Sequence, residues 1–168
     1  MKPLRIAALA ALILIAACSR AAPQASGGPI DARRIALPEA DPPPANADGK
    51  ASWRMAGDEA RFGVDGADPL LTLACRGGRL VVTRPIAAEL GAGALFAIEG
   101  ARRIVRLPVD ATATPGRRGY VWQGSLAGSD ADTQVFAEPF TGTLPGGGLI
   151  KVSAGDAARD VVSRCRKP

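Results

Sequence analysis

The chain has 168 residues, of which 47% are hydrophobic and only 4% are aromatic, and its formal net charge is +5. This length allows a single domain with one ordinary hydrophobic core. Because the sequence contains no histidine, hydrolases built on a Ser-His-Asp triad or a Cys-His pair, zinc sites with histidine ligands and imidazole proton relays are excluded.

The first 17 residues have the pattern of a secretion signal. Lys2 and Arg5 precede an unbroken apolar run over residues 6–17, which is shorter than the roughly 20 residues that a helix needs to cross a bilayer. The run leads into Ile-Ala-Ala-Cys at residues 15–18, which resembles the lipobox of bacterial lipoproteins. This resemblance implies that the signal is cut before Cys18 and that acyl chains, palmitate among them, are attached there. The alternative is an ordinary cleaved signal followed by a chance cysteine.

A lipid at Cys18 would anchor the chain to a membrane, because two acyl chains already give stable attachment. In lipoproteins of this kind an aspartate directly after the cysteine is associated with retention in the inner membrane. Ser19 stands at that position, so the resemblance implies the outer membrane, with the protein facing the periplasm.

Residues 18–50 are predicted to be a disordered tether that begins at the lipidated cysteine. They are rich in alanine and proline, include three consecutive prolines at 42–44, and have no periodic apolar face. Such a composition cannot bury enough surface to offset the entropy of ordering. A random coil of this length reaches about 30 Å.

Residues 51–168 are expected to form a single β-rich domain, because short apolar runs alternate with turn residues. We expect Gly77 and Gly78 to form a tight hairpin turn and Pro85 to end the following strand, since proline cannot donate to a central ladder. The fold class is therefore mainly β, an antiparallel β-sandwich or barrel-like domain with a short C-terminal helix. The predicted strands are Trp53–Met55, Ala60–Phe62, Leu70–Cys75, Leu80–Thr83, Leu95–Ile98, Ile104–Leu107, Tyr120–Leu126 and Leu149–Val152.

Two helices interrupt the β pattern. Residues 130–138 are predicted to form a short helix capped by Asp130, with Val135 and Phe136 facing inward. A second helix is predicted to begin near Asp156, and a helix of about ten residues must pack on the sheet because it is not stable alone. Its inward face is formed by Ala158, Val161, Val162 and Cys165.

The three cysteines divide into one lipid site and one pair. With Cys18 assigned to the lipid, Cys75 and Cys165 remain in an oxidising compartment, and an even pair there predicts a disulfide. The bridge would join the end of a central strand to the C-terminal helix. The alternatives are two buried free thiols or a redox pair, although the sequence has no Cys-x-x-Cys motif.

A local concentration of basic residues is the candidate contact for an anionic ligand. It could meet lipid headgroups or an envelope polysaccharide; the alternative is a solvated face. Nucleic acid is not expected as a partner, because aromatic residues do not alternate with the basic ones. The residues are Arg102, Arg103, Arg106, Arg117 and Arg118.

No catalytic residue, metal or cofactor is predicted. Ser125 has glycines at the wrong spacing for a nucleophile elbow, and Asp130 and Asp132 lack the further ligands of a calcium loop. A carboxylate pair that includes Glu138 would require a cleft between the partners. The glycines at 146–148 lack the lysine of a phosphate loop and predict a hairpin turn.

Residues 53–165 as a whole resemble uncharacterised lipoprotein domains of alphaproteobacteria. This resemblance brings no catalytic residues, and we expect a non-enzymatic binding or structural role at the membrane, with an envelope protein or an anionic polysaccharide as partner. The motifs that carry it are Trp53, Phe62-Gly63, residues 71–75, Val135-Phe136, residues 149–152 and residues 161–165.

A second resemblance, to the lysozyme-inhibitor lipoproteins, rests on the cysteine positions. Those proteins also pair a cysteine of an early strand with one near the C-terminus of a small β domain. The resemblance implies an alternative function as a periplasmic inhibitor of a lysozyme-like enzyme. The family's Ser-Gly-x-x-Tyr loop is not matched, since the arginines before Gly119 and Tyr120 replace its serine.

Overall fold

The computed structural model describes residues 50–115 and 118–167. The predicted signal and all of the predicted tether except Lys50 lie outside these residues. Within them, nine antiparallel strands form one sheet in the order β1-β2-β3-β4-β7-β6-β5-β8-β9, which confirms the mainly β class with a C-terminal helix. The strands are β1 (Ser52–Ala56), β2 (Glu59–Gly63), β3 (Leu71–Arg76), β4 (Arg79–Ala88), β5 (Gly93–Gly100), β6 (Ile104–Ala113), β7 (Tyr120–Ala127), β8 (Phe140–Leu144) and β9 (Gly148–Val152).

One face of the sheet encloses the hydrophobic core. Alternate residues of the strands point inward, so that β3, β5 and β6 contribute Leu73, Phe96 and Leu107 to a single buried cluster. The two edge strands approach each other, because the Trp53 indole Nε1 donates to the Ser153 carbonyl oxygen just beyond β9 at 2.7 Å. The sheet therefore curls around the core but is not closed by strand pairing within the described residues.

Helix α1 (Asp156–Arg166) packs against β1, β2 and β3. All four residues predicted for its inward face are buried. The end of the helix lies so close to Gly128 that a Cβ atom there would stand 1.9 Å from the Cys165 carbonyl oxygen. Gly128 N donates to the Gly78 carbonyl oxygen at 2.7 Å, which ties the segment after β7 to the β3–β4 turn. Only glycine fits at this close approach to the helix end.

Two local predictions are confirmed. Gly77 and Gly78 have φ values of +53° and +71°, the left-handed conformation that a two-residue hairpin turn requires. The short helix predicted after β7 is a 3₁₀ helix (Ala131–Ala137) capped by Asp130, with Val135 and Phe136 buried.

The prediction for Pro85 was wrong. β4 continues through Pro85 to Ala88, although its pairing with β3 ends at Thr83. On the other side the register with β7 shifts between Arg84 and Ala87. This irregularity leaves Pro85 without a ladder partner on either side, so its missing N–H group is tolerated.

Strand β8 was not predicted, although the turn that follows it was. Its sequence alternates buried Phe140, Gly142 and Leu144 with two threonines, and the central glycine weakens the apolar signal. The glycine is needed because a Cβ atom on Gly142 would lie 2.5 Å from the Phe96 ring. Gly146, at φ +71°, lies in the predicted turn between β8 and β9.

An arginine lies inside the core. Arg84, on β4, is 1% exposed and donates from Nη1 to the Leu70 carbonyl oxygen and from Nη2 to the Gly147 carbonyl oxygen, the latter at 3.0 Å. Burial lowers the pKa of Arg84 to about 10, so the side chain stays charged at neutral pH. Its guanidinium therefore ties the segment before β3 to the turn between β8 and β9.

Candidate binding groove

A groove of about 740 Å³ lies on the outer face of β2, β3, β4 and β7, opposite the core. Its floor consists of outward-facing residues of three strands: Thr72, Ala74, Val81, Thr83, Val121 and Gln123. Its walls come from Pro85, in the irregular part of β4, and from segments that flank the strands: Asp68, Pro69, Thr114 and Pro115. Glu59, Arg61 and Arg76 line the rest of the groove, and we call these three residues its charged end.

Strand register builds a polar row across the floor. Thr72 pairs with Thr83, and Thr83 pairs with Gln123. The Gln123 amide Nε2 donates to the Thr83 hydroxyl at 3.0 Å. Thr83 is only 8% exposed although it faces away from the core, because the flanking segments cover this part of the outer face. The amide and hydroxyl groups of the row retain further donor and acceptor capacity for a ligand.

One hydroxyl in the groove wall lacks a partner. The Thr114 Oγ1 atom is buried and makes no hydrogen bond with any described residue. An unsatisfied buried polar atom destabilises a fold by about 1–3 kcal/mol.

Ion pairs fix the charges at the charged end. Arg76 pairs with Asp58 and, at 3.1 Å, with Glu59, while Arg61 pairs with Glu59 at 3.3 Å. The hydrogen bond that Arg76 donates to Asp58 lowers the pKa of the Asp58 carboxyl. The same bond raises the pKa of Arg76. Such exposed pairs contribute little to stability, but they hold carboxylates and guanidinium groups beside the neutral floor.

The structure does not bring the predicted basic cluster together. Arg102 and Arg103 precede β6, whereas Arg118 precedes β7 at the opposite end of β6. Ten residues at about 3.3 Å each make β6 roughly 30 Å long. Arg106 is exposed on β6 between these ends, and Arg117 lies outside the described residues.

The candidate carboxylates have structural roles. Arg103 Nη1 donates to the Asp132 carboxylate at 3.1 Å, and the Asp130 carboxylate accepts from Asp132 N at 2.9 Å to cap the 3₁₀ helix. Glu138 lines a separate hollow of about 210 Å³ beside Arg103. Over residues 50–115 and 118–167, no group of three potential metal ligands comes together.

Ser125 is a strand residue and not part of a nucleophile elbow. It lies within the extended strand β7. A nucleophile elbow instead places its serine on a sharp turn between a strand and a helix. Its hydroxyl accepts a hydrogen bond from Arg79 Nε at 2.9 Å.

The structure places Cys75 and Cys165 as a disulfide pair. Their Cα atoms are 5.2 Å apart and their sequence separation is 90. Cys75 lies near the end of β3, and Cys165 lies in the last turn of α1. Cys18, the third cysteine, lies outside the described residues.

Sequence reasoning missed the groove. The available signal was the alternation of Thr72, Thr83 and Gln123 with inward-facing residues on β3, β4 and β7. This alternation shows that the side chains face outward, but it does not show that separate loops enclose them. That enclosure depends on β7 pairing with β4, a contact across about 40 residues that no local pattern reveals.

Comparisons with protein-family models, with curated proteins and with solved structures found no match to the chain. In the part of the chain that the structure describes, no helix is both long and apolar enough to span a membrane. The described residues define an antiparallel β domain that carries a docked C-terminal helix and a groove on its outer face.

Proposed function

We propose that this protein is a lipid-anchored, non-enzymatic binding protein of the cell envelope, held at the periplasmic face of the outer membrane. The observation that carries the binding role is the groove, which combines a polar floor, an unsatisfied hydroxyl in its wall and a charged end. Concave sites with a few convergent polar groups are typical of ligand binding.

The anchor rests on the lipobox resemblance at Cys18. We expect radioactive palmitate to label the full chain in growing cells, and Cys18→Ser to abolish the labelling because no thioether can form. Cys75→Ser is the matched control, since it removes a cysteine without removing the acceptor. Labelling of the Cys18→Ser chain, or no labelling of the wild type, would contradict the anchor.

The lining of the groove favours a protein partner over a polysaccharide. Sugars commonly stack on aromatic rings, whereas every described lining residue is aliphatic, proline, polar or charged. Threonine hydroxyls and a glutamine amide suit the hydroxyl, amide and backbone groups of a polypeptide. The charged end suits a charged residue of the same segment. The proposed ligand is therefore a segment of another envelope protein.

Filling the groove should block this interaction. A photoreactive residue at Arg61, which is exposed at the charged end, is expected to crosslink the partner in intact cells. Thr72→Trp, directly across the ladder from that position, should abolish the adduct because the indole occupies the floor. Ser163→Trp is the matched control, because Ser163 is exposed on α1, outside the groove. The adduct is identified by mass spectrometry.

The outcomes of this experiment separate the candidate functions. An adduct that resists Thr72→Trp would contradict binding in the groove. An adduct with a glycan would favour the polysaccharide. Capture of a lysozyme-like enzyme, together with slower turnover of that enzyme by the purified chain, would support the inhibitor alternative.

A further inference from the structure

The other half of the sheet exposes large apolar side chains on its outer surface. Leu95 on β5, Ile104 on β6 and Leu149 on β9 are 51%, 59% and 51% exposed. Each points away from the core because the residue that follows it on its strand is buried: Phe96, Val105 and Ile150. We call the surface formed by these three residues with Ala97, Pro108 and Thr143 the apolar face.

Strand register joins five of these residues, whereas Ile104 pairs with Glu99 and is separated from Pro108 by Arg106. Leu95 pairs with Pro108, and Ala97 pairs with Thr143, which in turn pairs with Leu149. With neighbouring strands about 4.8 Å apart and alternate residues about 6.7 Å apart, Leu95 and Leu149 are separated by roughly 12 Å. Contiguous apolar surfaces on a folded domain mark interaction sites.

Positive charge surrounds the apolar face. Arg106 pairs across the ladder with Ala97, Lys151 follows Leu149 on the same side of β9, and exposed Arg102 lies just before β6. Glu99, opposite Ile104, and Asp110, two residues beyond Pro108 on β6, are acidic residues on this side. Three cations and two carboxylates around an apolar centre leave a net positive charge, which suits a surface with anionic headgroups above hydrocarbon.

The position where the chain enters the domain points to the same surface. The described chain begins at Lys50, directly before β1, and the Trp53 indole is hydrogen-bonded to Ser153 at the end of β9. The segment that connects the domain to Cys18 therefore joins it beside the strand that carries Leu149. A lipid at the far end of that segment would keep the apolar face at high local concentration near the bilayer.

We propose that the apolar face docks on the anionic phospholipid surface of the membrane that holds the chain. This inference rests on the proposed lipid anchor at Cys18. The groove is built on β2, β3, β4 and β7, and the apolar face on β5, β6, β8 and β9. The two surfaces adjoin where Pro108 lines a hollow with Val81 and Gln123 of the groove.

Photocrosslinking to lipid tests this orientation. The full acylated protein, with benzoylphenylalanine at Leu149, is reconstituted in vesicles of three parts phosphatidylethanolamine to one part phosphatidylglycerol and irradiated. We expect phospholipid adducts several-fold more abundant than those from the same photoreactive residue at Arg61, in the groove. Neutral phosphatidylcholine vesicles should give fewer adducts at Leu149, since Arg106 and its neighbours lose their anionic partners.

A surface variant supplies the matched comparison. Leu95→Ser with Arg106→Gln changes two exposed side chains and should reduce the adducts formed at Leu149 several-fold while leaving the melting temperature unchanged. Equal adducts at Leu149 and Arg61, an unchanged yield in this variant, or adducts with a second copy of the chain in place of lipid would each overturn the inference.

Intact-mass analysis of the same sample separates the two proposals. Acylated protein that gives no excess of lipid adducts at Leu149 overturns the docking surface and leaves the anchor intact. Protein recovered from cells without acyl chains on Cys18 overturns the proposed anchor itself.

Discussion

Reduction of the Cys75–Cys165 pair is expected to lower the free energy of unfolding by about 4 kcal/mol. A crosslink across 90 residues restricts the unfolded chain, and the chain-entropy relation gives roughly 4–5 kcal/mol for a loop of this size. For a domain of this length the corresponding fall in melting temperature is roughly 15 °C. Thermal unfolding of the full chain, followed by circular dichroism with and without reductant, measures it.

The position of the pair explains why the effect should be large. Helix α1 has 11 residues and depends on packing for its stability. Besides that packing, the last turn is held by the Cys165 bridge to β3 and by Arg164, whose Nη2 donates to the Asp58 carbonyl oxygen at 3.2 Å. The variant with Cys75→Ala and Cys165→Ala is the control, since reductant should not change its melting. Identical melting of the wild type under both conditions would contradict the bridge.

Arg84→Met is expected to destabilise the domain by about 2–4 kcal/mol. Methionine fills much of the volume of the arginine stem but donates no hydrogen bonds, so the carbonyl oxygens of Leu70 and Gly147 lose the donors they have from Arg84. Each unsatisfied buried acceptor costs about 1–3 kcal/mol, and loss of the unfavourably buried charge offsets part of this. Urea unfolding of the full chain measures the difference.

Arg79→Met provides the matched control on the same strand. Arg79 also makes two hydrogen bonds, both to Ser125, but it is exposed. Water can replace an exposed donor, so we expect a change of no more than about 0.5 kcal/mol. Equal effects of the two substitutions would show that the buried guanidinium does not hold the segments together.

Much of the fold follows from local patterns in the sequence. Gly77 and Gly78 specify their hairpin because only glycine adopts two successive left-handed conformations easily. The inward face of α1 follows from the spacing of Ala158, Val161 and Val162. These features depend on residues within one turn or one hairpin, and such short-range preferences are visible in the sequence.

The remaining features depend on contacts between distant segments. Pro85 lies within a strand because of an irregular register with β7, and Gly142 is required by the Phe96 ring of another strand. Arg84 has no feature in the sequence that distinguishes it from exposed arginines, since its acceptors are backbone carbonyls brought together by the fold. The groove belongs to the same category, because strands far apart in sequence form it.

The strand order has a consequence for the way in which the chain completes its fold. β4 pairs with β7, so the chain must add the β5–β6 hairpin before β7 covers the free edge of β4. A polypeptide that crosses a membrane N-terminus first would therefore carry an uncovered β4 edge until Tyr120–Ala127 emerges. Exposed edges of this kind pair readily with other chains, so the export that we propose would have to protect this edge most during that interval.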